Sequence, residues 1–261
     1  MPDYNEVNTL HNETLRLKIM SYNIRHGRGM DDRVDLQRIA EVIRQTNADI
    51  VGLQEVDEHW GPRSGYENQT MRLAERLGME YVFGGSIHLD PIPESGGKRR
   101  KHGVAVLSKY PILSSRQRLF STYVGNHREL LETEIDISGY RLHFYSTHWG
   151  LDADERRIQS NETIRWVKDD GPAVVVGDFN STLDSPEMEL LIRHFHDAFN
   201  GDETKGTFPA NDPAKRIDFI VGNGGVRFDQ AEVIPSAASD HLPIVCVLEI
   251  QRQDDKGKEW I

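Results

Sequence analysis

Asp178 and Asn180 stand two residues apart where the apolar run "VVVGDFN" ends. In a strand, residues i and i+2 share a face, so this carboxylate and this amide converge on one point above a sheet. The same kind of ending recurs along the chain. Asn23 closes "IMSYNI", Glu55 closes "IVGLQE" with Asp57 two residues on, His148 closes "FYSTH", and Asp240 and His241 immediately precede "LPIVCVLEI". Hard divalent cations take oxygen ligands such as carboxylates and amide carbonyls, and magnesium commonly keeps waters and substrate phosphate in its shell. Glu55, Asp240, Asn23 and the Asp178–Asn180 pair are groups of that kind. His148 and His241 can handle protons or hold an anionic transition state, because imidazole titrates near neutrality. Asp218 lies inside the apolar run "RIDFIV", where an unpaired carboxylate is expensive to bury; its partner is either neighbouring Arg216 or a catalytic histidine or metal. Taken singly, each has a bland reading: Asn and Asp after strands form turns and caps, and most histidines are satisfied core or surface groups. Repetition at one strand end after another makes those readings less attractive together.

The elements that must position these groups are strands and helices in alternation. "RLKIMSYNI", "ADIVGLQEV", "HGVAVLS", "LLETEIDI", "RLHFYSTHW", "AVVVGDF", "RIDFIVG" and "LPIVCVLEI" read as strands bounded by Gly, Pro, Asp or Ser. Leu36, Ile39, Ala40 and Ile43 follow helical spacing, as do Met188, Leu191, Ile192 and Phe195 after the cap-like Ser185 and Pro186. "DADERRIQSNETIRWVKDD" reads as a third helix with a weaker apolar face. The stretch from about residue 80 to 145 is mainly strands. This pattern predicts two sheets packed face to face with helices outside, in one domain over residues 15–252, after a polar lead-in at 1–14 and before a polar tail at 253–261. Continuous apolar strands such as "AVVVG" fit sheets covered on both faces.

A formal net charge of −11 argues against a surface that grips nucleic acid wherever it touches, while leaving room for a local basic site. The one cysteine, Cys246, lies in an apolar run and reads as a core thiol. No stretch approaches the ~20 apolar residues of a membrane helix, and the first residues lack the pattern of a secretory leader; a cytoplasmic setting and a monomer are the expectations.

The motifs "SYNIR", "LQEVD", "STHWG", "GDFN", "RIDFI" and "SDHLP", in this order over residues 21 to 243, resemble those of the endonuclease/exonuclease/phosphatase superfamily, which includes pancreatic-type DNase and the exonuclease III-like enzymes. The resemblance implies a four-layer α/β sandwich, two central mixed β-sheets flanked by helices, with the site at one end. It implies Mg²⁺ or Mn²⁺ and hydrolysis of a phosphoester by in-line attack of water. It assigns Glu55 as principal metal ligand with Asn23 and Asp240, Asp178 as the group that orients or deprotonates the water, and Asn180 as a binder of phosphate oxygen or metal. His241 resembles the phosphate-contacting histidine oriented by Asp218, and His148 a second such contact. Arg128, in "NHRELLETEI", resembles the arginine many members place against the phosphate. Trp149 departs from the small aliphatic residue common after this histidine, and is a candidate wall of the pocket; Arg63, shortly after Glu55, borders the site on positional grounds. The residues with which abasic-site endonucleases engage DNA have no clear match.

Three functions follow. The first is a metal-dependent phosphoesterase, most simply a phosphodiesterase, acting on a small-molecule or lipid-like phosphoester. The second is a DNA or RNA nuclease. The third is a catalytically silent binding protein on the same fold, disfavoured because every metal and proton-transfer position is filled. The basic run Lys98–Lys101, in a Gly- and Pro-rich loop, reads either as an arm for a polyanionic substrate or as a solvated loop tip.

Overall fold

The computed structural model describes residues 14–121 and 127–251; the tail at 253–261 and all but the last residue of the 1–14 lead-in lie outside them. Along the chain run β1 (Thr14–Asn23), α1 (Leu36–Thr46), β2 (Ile50–Glu58), α2 (Gln69–Leu77), β3 (Glu80–Leu89) and β4 (Arg100–Ser108). There follow β5 (Ile112–Leu119), β6 (Glu129–Ile137), β7 (Tyr140–His148), α3 (Ala153–Trp166), β8 (Ala173–Asp178) and α4 (Pro186–Ile192). The last elements are β9 (His196–Asp197), β10 (Asp218–Gly222), β11 (Arg227–Val233) and β12 (Ile244–Gln251).

Two six-stranded sheets result, with orders β11-β12-β1-β2-β4-β3 and β5-β6-β7-β8-β10-β9. Only the central pairs β1/β2 and β7/β8 are parallel; the other pairings are antiparallel. Leu17, Ile19, Ile50, Val104 and Val106 of one sheet meet Leu131, Phe144, Val174, Val176 and Ile220 of the other in a shared core. The sheets approach so closely that a Cβ on Gly52 would lie 2.2 Å from Val176 Cγ2. A side chain at that point would force them apart.

The outer layers are helical. Asp35 caps α1 by accepting from Gln37 N at 2.8 Å, and Leu36, Ile39, Ala40 and Ile43 pack with Leu73 and Ala74 of α2 on the back of the first sheet. Ser185 caps α4 with Pro186 in its first turn; Met188 and Leu191 cover the back of the second sheet with Trp149, Phe179 and Phe219. This is the four-layer sandwich expected. α3 has no apolar stripe because its buried face is polar, with Glu155, Gln159, Ser160, Glu162 and Thr163. Phe195, expected to continue α4, lies past its end, and α2 was not anticipated at all. Cys246 is buried between the sheets, and burial holds its thiol pKa well above the usual value.

Candidate functional site

The site forms where the two parallel pairs end. On the first sheet, β1 finishes at Asn23, whose register partner on β2 is Gln54. The next residue, Glu55, has φ +56°, at the point where the β2–β4 register shifts between Leu53 and Val56. A bulge re-aims one side chain out of the alternation, and here it leaves Glu55 half-buried between two fully buried neighbours, Gln54 and Val56. A left-handed conformation at a glutamate costs of order 1–3 kcal/mol, so the surrounding pairing must enforce it.

On the second sheet, His148 and Asp178 are register partners at the end of β7/β8. Asp178 faces Asp218 across the antiparallel β8/β10 pair. Beyond β8 the chain turns through Asn180 at φ +49°, and the backbone N–H of Asn180 donates to Asp178 Oδ1 at 2.9 Å.

Asp178 Oδ2 is the focus of this arrangement. Asn23 Nδ2 donates to it at 2.9 Å and reaches Glu55 Oε1 at 3.3 Å, which links the two sheets. His148 Nε2 stands 3.4 Å from the same oxygen and His241 Nε2 3.7 Å. His241 Nδ1 donates to Asp218 Oδ2 at 2.9 Å. Asp178, Asp218 and His241 place candidate ligand atoms within 4.8 Å of one another, all buried. Ser239, fully buried, donates to Asn23 O at 2.7 Å and fixes the turn bearing Asp240 and His241 against β1. Asp240 is half-buried and meets Arg25 Nε at 3.3 Å.

These contacts divide the protons unequally. Burial, and next to it the negative charge of Asp218, pushes the Asp178 carboxyl up to about 7, against the pull of His241. Burial also opposes charge on His241, but the carboxylates of Asp218 and Asp178 outweigh it and raise this imidazole to about 10. His148 is held well below its usual value, by burial first and then by the positive charge of Arg128. An amide nitrogen can only donate, so the 3.1 Å contact of Asn180 Nδ2 makes His148 Nε2 the acceptor, with the ring proton on Nδ1. One histidine is therefore a cation at neutral pH and the other a neutral base.

Asn23, Glu55, His148, Asp178, Asn180, Asp218 and His241 are thus linked by direct contacts. Asp240 joins through Ser239, and Arg128 is close enough for the charges of Asp178 and Glu55 to act on it. Asn23, expected among the metal ligands, has its Oδ1 engaged by Arg25 N at 3.0 Å and its amide nitrogen shared by Glu55 and Asp178. It ties the carboxylates together. Trp149 does not wall the pocket: its side chain is fully buried in the layer behind the second sheet, edge-on to Phe179 at 4.7 Å, and only its backbone carbonyl touches Asn180. Arg63 borders the region but is clamped by Asp57, with Nε to Oδ2 at 2.9 Å and one terminal nitrogen to Oδ1 at 2.7 Å. Arg216 pairs with Asp197, which leaves Asp218 to His241.

His102 and Glu129 were not anticipated. Both begin or lie near the start of strands antiparallel to the site-bearing ones, β4 and β6. Motifs at the C-terminal ends of strands do not include them, whereas the starts of antiparallel neighbours reach the same end of the sheet. The basic run Lys98–Lys101 leads into β4, where Lys101 Nζ lies 3.5 Å from Glu58 and Arg100 donates to the carbonyls of Asp90 and Trp60.

Two central sheets bearing carboxylate, amide and imidazole groups at one end define a fold class shared with known proteins. The sequence profile of the Endonuclease/Exonuclease/phosphatase family matches residues 20–241, and the chain belongs to that family. It is 29% identical over 250 residues to YbhP of Escherichia coli K12, covering 87% of this chain and 94% of that protein. It is 28% identical over 159 residues to sphingomyelinase C of Bacillus cereus, covering 55% of this chain and 45% of that one. The crystal structure of an endonuclease/exonuclease/phosphatase from Beutenbergia cavernae superposes with a TM-score of 0.77 at 23% identity, over 90% of this chain and 72% of that one. Among the described residues no helix is long and apolar enough to cross a membrane.

Proposed function

We propose that this chain is a phosphodiesterase dependent on Mg²⁺ or Mn²⁺, acting by in-line attack of water on a small or lipid-like phosphoester. One observation carries the reading: Asn23, His148 and His241 converge on the buried Asp178 Oδ2, at 2.9, 3.4 and 3.7 Å. The likeness to sphingomyelinase C, which covers 55% of the chain, favours a phosphodiester of small or lipid-like character.

Glu55 and Asp240 would hold the cation. Their donors are carboxylate oxygens, the type magnesium selects, and the contacts they make among the described residues are long: 3.3 Å from Asn23 to Glu55, and 3.3 Å from Arg25 and 3.4 Å from Ser239 to Asp240. The cation, when bound, neutralises charge on the phosphate and lowers the pKa of coordinated water. The chain's own groups do the rest. Asp178, with its pKa near 7, takes a proton from the attacking water at Oδ2. His241, kept cationic and oriented by Asp218, donates to the phosphate oxygens as negative charge builds. Asn180 holds His148 beside them, and Arg128 adds a fixed cation.

Plasmid nicking and hydrolysis of bis(p-nitrophenyl) phosphate, each with and without Mg²⁺ and each repeated with Asp178→Asn, test this. Metal- and Asp178-dependent cleavage of the small diester alone supports the reading. Nicking that needs both moves the protein to the nucleases. Cleavage of neither, by protein that binds Mg²⁺, rejects phosphodiester chemistry.

A further inference from the structure

The loop between β9 and β10 brings to the reaction centre two side chains that the proposed chemistry does not use. Phe208 and Lys215 form an isolated antiparallel bridge, exchanging N–H···O bonds at 3.0 Å in both directions. Residues directly opposite in such a pair project from one face, so the half-buried Phe208 ring and the exposed Lys215 chain stand side by side. The bridge is fastened to the site at two points. Thr207 Oγ1, fully buried, accepts from Asp218 N at 3.3 Å, and Ala210 N donates to Asp240 O at 2.7 Å. The Phe208 ring itself packs against His241 at 4.7 Å.

Both side chains line a cavity of about 320 Å³, together with Asn180, Thr182, Ser185 and Arg156. Small-molecule sites run from roughly 300 to 1,000 Å³, so this is room for one modest substituent. The cavity adjoins Asn180, whose backbone N–H is bonded to Asp178, and so lies on the side from which the water attacks. In-line attack sends the leaving oxygen to the far side of phosphorus. The cavity therefore takes the arm of the diester that stays on the phosphate.

Its lining opposes one kind of arm and suits another. A quaternary ammonium is held by a cage of aromatic faces or by a free carboxylate. Phe208 is the one aromatic ring among the described lining residues. Glu187 is committed to Arg156 Nε at 2.6 Å and Ser181 Oγ at 2.7 Å. Among the described residues no carboxylate pairs with the Lys215 ammonium, so its charge repels a cationic arm. A polyhydroxylated ring meets complementary groups instead. Its apolar face can lie on Phe208, and its hydroxyls can accept from Lys215 and donate to Asn180 Oδ1, since the Asn180 amide nitrogen is committed to His148 and Trp149 O.

We propose that this cavity selects the retained arm of the substrate, and that the arm is a polyhydroxylated six-membered ring, cyclitol or sugar, in preference to a cationic headgroup. This rests on the phosphodiesterase reading above. Phe208, Lys215 and Asn180 would touch the arm; Thr207 is a positioning residue.

Four p-nitrophenyl phosphodiesters test it, differing only in the retained arm: myo-inositol through O1, methyl glucoside through O6, cyclohexyl and choline. Nitrophenolate leaves from each, so the series reads the arm. The faster polyol should exceed cyclohexyl ~10-fold or more in kcat/KM, as expected of hydroxyls bonded in a site built for them, with choline slowest. Which polyol is faster tells a cyclitol from a sugar. Lys215→Glu keeps the backbone bridge and reverses the charge. The polyol-to-choline ratio should then fall ~10-fold or more, with hydrolysis of the choline diester rising, a gain that mere structural damage would not produce. Cyclohexyl or choline equal to both polyols in the wild type overturns the proposal, as does an unchanged ratio in Lys215→Glu. Titration calorimetry of Asp178→Asn with the same diesters in Mg²⁺ reads the preference without turnover. Tighter binding of a polyol arm there upholds the cavity's selectivity even if no diester is hydrolysed and the phosphodiesterase reading falls. Equal Kd values reject it.

Discussion

The two sheets repeat one plan. Each joins a parallel pair at its centre, β1/β2 or β7/β8, to an antiparallel strand on either side and an antiparallel edge beyond. What they place at equivalent points differs. Across the antiparallel pair beside the centre, the second sheet sets Asp178 opposite Asp218, and the first sets Asp57 opposite His102. Two acids face to face contribute, after burial, to the raised pKa of Asp178. An acid facing an imidazole and clamped by an arginine is instead held ionised. One scaffold thus yields a carboxylate poised to exchange a proton and another kept as a fixed anion.

The sharpest break of this comparison is Asp178→Asn. It preserves shape while removing the proton acceptor, so turnover should fall ~10²- to 10⁴-fold, the range for a general base, with little change in thermal unfolding. Activity within tenfold of wild type would remove Asp178 from the proton-transfer role. Next in size are His241→Ala and Asp218→Ala, each losing about 10²-fold or more. Because Asp218 acts through His241, the double variant should lose little beyond His241→Ala. Multiplicative losses in steady-state assays would mean that Asp218 has a separate task.

The comparison also explains what could be read in advance. The eight strands recognised from sequence are the inner ones, whose apolar periodicity records a buried face. β3, β5, β9 and β11 were not recognised, and these are the four sheet edges. β5, "ILSSRQRL", and β11, "RFDQAEV", are largely exposed along their length, and β9 has two residues. An edge strand held on one side need not bury a face, so it leaves no period to find. The convergence of the candidate site was legible where short motifs end inner strands, as for Asn23, Glu55, His148 and Asp178. Trp149 was misplaced because a residue next to a strand-end histidine points to the opposite face, here into the helix layer. The Asp57–Arg63–His102 cluster was missed because its members are joined only by the β2–β4 register and a bulge, neither of which sequence spacing records.

Asp57→Ala separates the two acid–histidine pairs by kind of damage. It leaves Arg63 and His102 without their common acceptor, and should cost about 1–3 kcal/mol, toward the lower end because Arg63 is 40% exposed and water takes up its charge. Asp218→Ala should instead show in kcat more than in stability. Denaturant unfolding and kcat measured on both variants decide it; equal partition of damage in the two would mean that the pairs are not specialised.

The smallest effect concerns Glu129, which carries no proton in the proposed reaction yet is as buried as Asp178. It fits because Gly103 opposite has no side chain: a Cβ there would lie 2.3 Å from Glu129 Oε1. Val104 N donates to that oxygen at 3.2 Å, and Gln117 to the other. These bonds favour the anion, but burial outweighs them and raises the carboxyl from 4.5 to about 8. The folded state therefore binds a proton that the unfolded chain releases above about pH 4.5, so stability falls as pH rises from there to about 8 and levels off beyond. Glu129→Gln keeps the shape and an acceptor oxygen while removing the titration. Its melting temperature should match wild type near pH 5 and exceed it by about 3 °C or more at pH 9. A constant difference between the two proteins across that range would place the Glu129 carboxylate in the ionised form at neutral pH, and with it one more negative charge in the cleft beside His102 and Arg128.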